Sequence, residues 1–147
     1  MKLTEHFTLE ELYQSDYAIR HGIINKPSPN IIGNLLVTAQ GLEKVREILG
    51  NKAITVNSGY RCPKLNEALN GSKTSAHMDG YAADFTCHAY GKPQDIVLAI
   101  SKSKLEFDQC IQEGTWVHIS FAPAMRKEFL TAIFDNKGKV TYLKGVA

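Results

Sequence analysis

The chain lacks the cysteines for a disulfide framework. Cys62, Cys87 and Cys110 are odd in number and form no Cys-X-X-Cys pair. This argues against stapled loops and against a thiolate metal cage, and leaves reduced, partly buried thiols as the expectation. Long apolar runs are missing as well, so no segment is expected to span a membrane. The opening, Met1-Lys2-Leu3-Thr4-Glu5-His6, has no apolar stretch of the signal-peptide kind. The expectation is synthesis and folding in the cytoplasm, with any action outside the cell depending on release by another agent. Charge of one sign is not concentrated either. Seventeen basic residues against fifteen acidic ones give a formal net charge of +2, and the basic residues are scattered. There is no basic stripe with interleaved aromatics and no glycine loop of the phosphate-cradling kind, so neither nucleic acid nor a nucleotide is supported as a partner. Repeats, low-complexity tracts and long linkers are absent.

What is present is an ordinary globular composition. The chain has 147 residues, 44% of them hydrophobic and 22% charged. That is enough for one domain, residues 1–147, with a core of its own. Thr8-Leu9-Glu10-Glu11 fits a capping box and predicts a short helix through Tyr13. The segment 23–29, with Pro27 and Pro29, reads as irregular. Ser28 as cap, Pro29 in the first turn and Gly50 at the exit then bound the clearest helix. Its residues Ile32, Leu35, Leu36, Ala39, Leu42, Val45 and Leu49 recur at helical spacing and are expected in the core. Further along, strands are predicted over 53–57 and 81–86. Short helices are predicted over 63–69, closed by Asn70-Gly71, and over 93–101, with Ile96, Val97 and Ile100 inward. An antiparallel pair, 107–113 and 115–121, is expected to turn at Gly114, and a terminal hairpin, 128–135 and 139–143, around Asn136-Lys137-Gly138. Helices early and strands late make an α+β fold, a mainly antiparallel sheet with flanking helices.

Chemistry enters with three residues. His77 and Asp84 lie in Ser75-Ala76-His77-Met78-Asp79-Gly80-Tyr81-Ala82-Ala83-Asp84, and His118 lies in Trp116-Val117-His118-Ile119-Ser120. Two imidazoles and one carboxylate are the ligand set of an open, catalytic zinc site, whose fourth position takes a water that the metal makes nucleophilic. On a strand, Trp116, His118 and Ser120 share one face. A loop ligand and two strand ligands can converge, and Gly80 lets the backbone turn closely between the first two. On spacing alone an alternative stands level with this one: ordinary polar histidines and a capping or salt-bridged Asp84. His6, His21 and His88 are read as ordinary polar residues, His88 being the one near Asp84 in sequence.

Ser58-Gly59-Tyr60-Arg61 followed by Leu65-Asn66, then the Ser-X-His-X-X-Gly-X-Ala-X-Asp run, then Trp-X-His, resembles the M15 metallopeptidases. These are the zinc D-Ala-D-Ala peptidases, whose fold is shared with the hedgehog signalling domain. The resemblance begins at His6-Phe7-Thr8-Leu9-Glu10-Glu11-Leu12, an opening characteristic of a compact phage- and bacterium-associated branch. It includes Phe107-Asp108-Gln109 and ends after Ser120. It implies a hedgehog/DD-peptidase-like fold and one zinc ion held by His77, Asp84 and His118. It also implies an Arg61 that contacts substrate or the developing oxyanion, although pairing with a structural carboxylate is the competing role. Ser75 is implied as a substrate or ligand-positioning contact, or else a turn serine. Trp116 borders the substrate, more as packing beside the metal than as a platform. Many members carry Glu or Asp three residues before the last histidine, where this chain has Thr115, which cannot act as a base. Glu113 is the nearest carboxylate and the candidate general base, with Asp79 and Asp108 as weaker candidates. The implied activity is hydrolysis of a D-alanyl bond in peptidoglycan stem peptides, as carboxypeptidase or endopeptidase, of D,D- or L,D-type. The implied setting is a monomeric phage or prophage lysin released by a holin, or a virion-associated protein. The alternative is a non-catalytic zinc-containing binding or virion structural module of the same fold. Thr115 favours that alternative; the complete ligand triad and Arg61 favour the enzyme.

Overall fold

Local capping sets the first elements of the structure, a computed structural model that describes residues 1–146. The Thr8 amide donates to Glu11 Oε1 at 2.6 Å and the Glu11 amide donates to Thr8 Oγ1 at 3.3 Å. This is the reciprocal capping predicted, but it closes only a single 3-10 turn, Glu10–Leu12. A short helix α1 (Asp16–Arg20), capped by Ser15, follows. Its only buried residue is Ala18, so no apolar stripe announces it in the sequence.

Helix α2 (Pro29–Ile48) forms where the punctuation predicts it, with Ser28 Oγ accepting from the Ile31 amide and Pro29 in the first turn. Leu35, Ala39, Leu42, Val45 and Leu49 are fully buried. Leu36 is not: it is 37% exposed, and Ile32 is only partly buried. The expected core stripe was therefore too wide. The buried face is completed instead by Thr38 and Gly41, small residues that periodicity in apolar residues does not count. Gly41 is required by packing, because a Cβ there would sit 2.3 Å from the Phe121 ring.

Six strands form one sheet in the order β1-β2-β4-β3-β5-β6. They are β1 (Thr55–Ser58), β2 (Ala82–Thr86), β3 (Gln109–Gln112), β4 (Val117–Ser120), β5 (Glu128–Phe134) and β6 (Val140–Lys144). Every neighbouring pair is antiparallel except β3–β5, which is parallel. The mainly antiparallel α+β architecture is thus as read from the sequence. The β3–β4 connection is wider than a turn at Gly114 alone and takes in residues 113–116. Helices α3 (Pro63–Ala68) and α4 (Pro93–Ser101) lie near their expected places. All three cysteines are free thiols, and Cys62 Sγ caps α3 by accepting from the Leu65 amide at 3.4 Å. Strand β2 is buried along its whole length, so Asp84 enters the interior of the molecule on the central part of the sheet. Among the described residues no helix is long and apolar enough to cross a membrane.

Candidate metal centre

His77 sits in a 3-10 turn, Ala76–Asp79, entered through Ser75, whose Oγ accepts from the His77 amide at 3.2 Å. Gly80 ends the turn at φ +79°, and a Cβ there would lie 3.1 Å from Ile31 and 3.3 Å from Leu35 of α2. A left-handed backbone and close approach to a helix both call for glycine. Two further bonds lock the turn to that helix: Thr38 Oγ1 donates to the Gly80 carbonyl at 2.7 Å and Asn34 Nδ2 to the Asp79 carbonyl at 2.8 Å. The core helix therefore sets the height of His77 over the sheet. Asp84 and His118 are direct cross-strand partners on β2 and β4, so their side chains emerge side by side.

The three converge. Asp84 Oδ1 lies 3.2 Å from His77 Nε2 and 3.0 Å from His118 Nδ1, and one ligand atom from each residue falls within 4.8 Å of the other two. His77 Nδ1 lies 2.7 Å from the Gly59 carbonyl. A carbonyl only accepts, so Nδ1 carries the proton and Nε2 presents its lone pair to the cluster. Burial holds the His77 pKa below the usual imidazole value, against the pull of Asp84. Burial also opposes ionisation of Asp84, but the facing His77 and His118 outweigh it and hold the carboxyl well below its ordinary range. With His77 in its neutral form, Nε2 and the Asp84 oxygen 3.2 Å away are two acceptors facing one another. A cation between them resolves that conflict, and two imidazole nitrogens with one carboxylate oxygen suit zinc.

Arg61 closes the far side of Asp84. Its Nη2 donates to Oδ2 at 3.3 Å, Nε to Ser58 Oγ at 3.2 Å and Nη1 to Asn66 Oδ1 at 3.4 Å, while its amide donates to the His77 carbonyl at 3.1 Å. The carboxylate that Arg61 pairs with is itself one of the three candidate ligands. Asn66, buried and donating to the Ser72 carbonyl at 2.9 Å, supports the guanidinium; the sequence offered its motif but no role for it.

A cavity of about 640 Å³ opens over the cluster, bordered by Ser75, Glu113, Trp116 and Tyr142. Glu113 is half-buried at the β3–β4 turn. Burial, joined by the charge of Asp84, raises its pKa above the ordinary glutamate value, against opposing contributions from His118, Tyr142 and Arg61. Thr115 borders a different cavity, beside Thr86 and Asp95. The wide turn thus carries the residue three before His118 away from the ligands and the residue five before it toward them. Of the weaker base candidates, Asp79 is exposed at the rim. Asp108 is occupied: Oδ1 accepts from the Arg126 amide and Nε at 3.1 and 2.9 Å, and Oδ2 from Nη2 at 3.0 Å. His6 pairs with Glu43, His21 stacks on Tyr17 and His88 borders the Thr115 cavity. None joins the cluster.

A family model described as Peptidase M15 matches residues 5–120. The chain belongs to the M15 peptidase family. Within that match lie every ligand candidate, Arg61 and Glu113. The zinc D-Ala-D-Ala carboxypeptidase of Streptomyces albus G is 41% identical over 58 residues. That similarity takes in 40% of this chain and 23% of the other protein, so the chain spans less than a quarter of that relative's length. Tyr142 and Arg126, which also border the cavity, lie beyond the matched segment and were not legible from the motif.

Proposed function

We propose that this M15 family member is a zinc-dependent peptidase that hydrolyses a D-alanyl bond in peptidoglycan stem peptides. The observation that carries the reading is the convergence of His77, Asp84 and His118 beneath a cavity that Glu113 also borders. His77 through Nε2, Asp84 through Oδ1 and His118 through Nδ1 are the ligands it assigns to one zinc ion. When bound, zinc supplies Lewis acidity, polarising a carbonyl and bringing the ionisation of water toward neutral pH.

Glu113 acts as general base and then acid. It takes the proton from the attacking water and delivers it to the amine nitrogen as the C–N bond breaks, leaving a free carboxylate and a free amine. Its raised pKa makes it a better proton acceptor than a solvated glutamate. Arg61 keeps Asp84 oriented through Oδ2 and brings positive charge to the side of the cavity where the carbonyl oxygen becomes negative. Ser75 and Trp116 flank the peptide. The relative in Streptomyces albus G, named for D-Ala-D-Ala, supports the choice of bond. Removal of the terminal residue is the finer form of the reading, with a monomer as the working unit and lysis of a phage host as its setting. The non-catalytic alternative drew its support from Thr115, and that residue borders another cavity.

The test is metal analysis of the purified protein together with digestion of purified peptidoglycan, with and without chelator, the products read by mass spectrometry. One zinc per chain and chelator-sensitive release of D-Ala are expected. Cut cross-links instead would make it an endopeptidase, and lysis of permeabilised cells would support the lytic setting. Bound zinc with no cleavage of any wall type would overturn the catalytic reading.

A further inference from the structure

We infer that Tyr142 is a positioning residue for Glu113, brought to the cleft by the C-terminal β5–β6 hairpin. The inference rests on the reading of Glu113 as the base. Three observations carry it. First, Tyr142 Oη donates to Glu113 Oε2 at 3.5 Å, and among the described residues Tyr142 is the side chain that hydrogen-bonds this carboxylate. The distance is long, as catalytic hydrogen bonds often are before substrate arrives. Second, Tyr142 borders the same cavity as Glu113, Trp116 and His118, although it lies on β6 at the edge of the sheet. Third, the hairpin is keyed to the strand that leads into Glu113. Gln112 on β3 is in register with Thr131 on β5, and Ala132 on β5 with Tyr142 on β6. Phe134, at the end of β5, lies against the turn, where a Cβ on Gly114 would meet its ring at 3.0 Å. The hairpin therefore meets the turn at two points, Tyr142 at the Glu113 side chain and Phe134 beside Gly114.

The chemistry gives the contact a purpose. A carboxylate has two oxygens and rotates readily between them, and a donor on Oε2 leaves Oε1 to receive the proton. The hairpin lies outside the segment that matches the M15 family, so within this chain the base is borne by the family segment and oriented by an element that follows it.

The experiment compares Tyr142→Phe and Glu113→Gln with the parent chain on purified cross-linked and uncross-linked muropeptides, with zinc content and melting temperature measured on all three. Loss of the hydroxyl is expected to lower kcat about tenfold, the effect of one hydrogen bond to a charged group, with KM, zinc content and melting temperature unchanged. The acid limb of kcat/KM is expected to move to higher pH, because the ionised carboxylate has lost a donor. His118, Asp84 and Arg61, the other charged groups that act on Glu113, are untouched by the change. A purely structural tyrosine would move the melting temperature and leave the limb in place. An unchanged kcat and limb, or a loss confined to KM, overturns the inference while the base stands. Parent-like turnover by Glu113→Gln removes the base reading itself, whatever Tyr142→Phe does.

Discussion

Gly80→Ala tests how the core sets the metal centre. The substitution meets two costs. The backbone at φ +79° is left-handed, which costs an alanine roughly 1–2 kcal/mol. The new Cβ also sits 3.1 Å from both Ile31 Cγ2 and the Ile31 carbonyl. The methyl can yield but the backbone oxygen cannot, and overpacking of this kind costs about 1–3 kcal/mol. Together they amount to about 2–5 kcal/mol, which for a chain of this size lowers the melting temperature by roughly 5–15 °C. The displaced turn also strains the Thr38–Gly80 bond and tilts His77, so zinc affinity falls along with stability. Gly33→Ala is the control. Gly33 lies in the same core helix with open space around its Cβ position and no positive φ, so alanine there is expected to raise stability by about 0.5–1 kcal/mol. The assay is thermal melting of both variants, metal-free and zinc-loaded, with zinc competition against a chromophoric chelator. A Gly80→Ala protein that melts with the parent and binds zinc equally would refute the claim that α2 dictates the position of His77.

Glu113→Gln is expected to lower kcat by about 10²–10⁴, the usual worth of a general base, with zinc retained. Thr115→Glu, which places a carboxylate three residues before His118, is expected to leave kcat unchanged because Thr115 borders a different cavity; a gain in turnover would show that the turn rearranges in solution. Chelation is expected to abolish cleavage and lower the melting temperature, since an ion that binds only the folded chain stabilises it by mass action; equal melting with and without zinc would count against the ligand set. Asp108→Asn is expected to cost about 1.5–3 kcal/mol through weakened bonds to Arg126. Arg126 holds the Asp108 pKa below its ordinary value, so that stabilisation is complete above the ordinary carboxylate range and is lost as pH falls through the folded pKa. The Asn variant is therefore expected to lose less stability than the parent between neutral and acid pH in denaturant titrations.

Local signals carried much of the architecture. Ser28, Pro29 and Gly50 bracket α2 because caps and breakers act on the nearest turn of backbone, whatever the rest of the chain does. The run from Ser75 to Asp84 names two ligand candidates and the glycine between them because the close turn is itself local. Where the sequence reading failed, the deciding contact was remote. Leu36 has helical spacing, yet it is exposed because the face of α2 that packs is completed by Thr38 and Gly41. Asp108 looked available as a base, but Arg126, eighteen residues later, occupies it.

Residue type and spacing alone determined what could happen here: where the capped helices and the main strands form, that two imidazoles and a carboxylate are available as a candidate ligand set, and that Thr115 cannot be a base. The tertiary structure decided which atoms face one another. Only the approach of the Gly59 carbonyl settles which His77 nitrogen faces the cluster, only the sheet register sets Asp84 beside His118, and only the wide β3–β4 turn with the hairpin against it brings Glu113 and Tyr142 to one cavity. Proton position and side-chain direction depend on partners far apart in the chain, and those distances are fixed when the core packs.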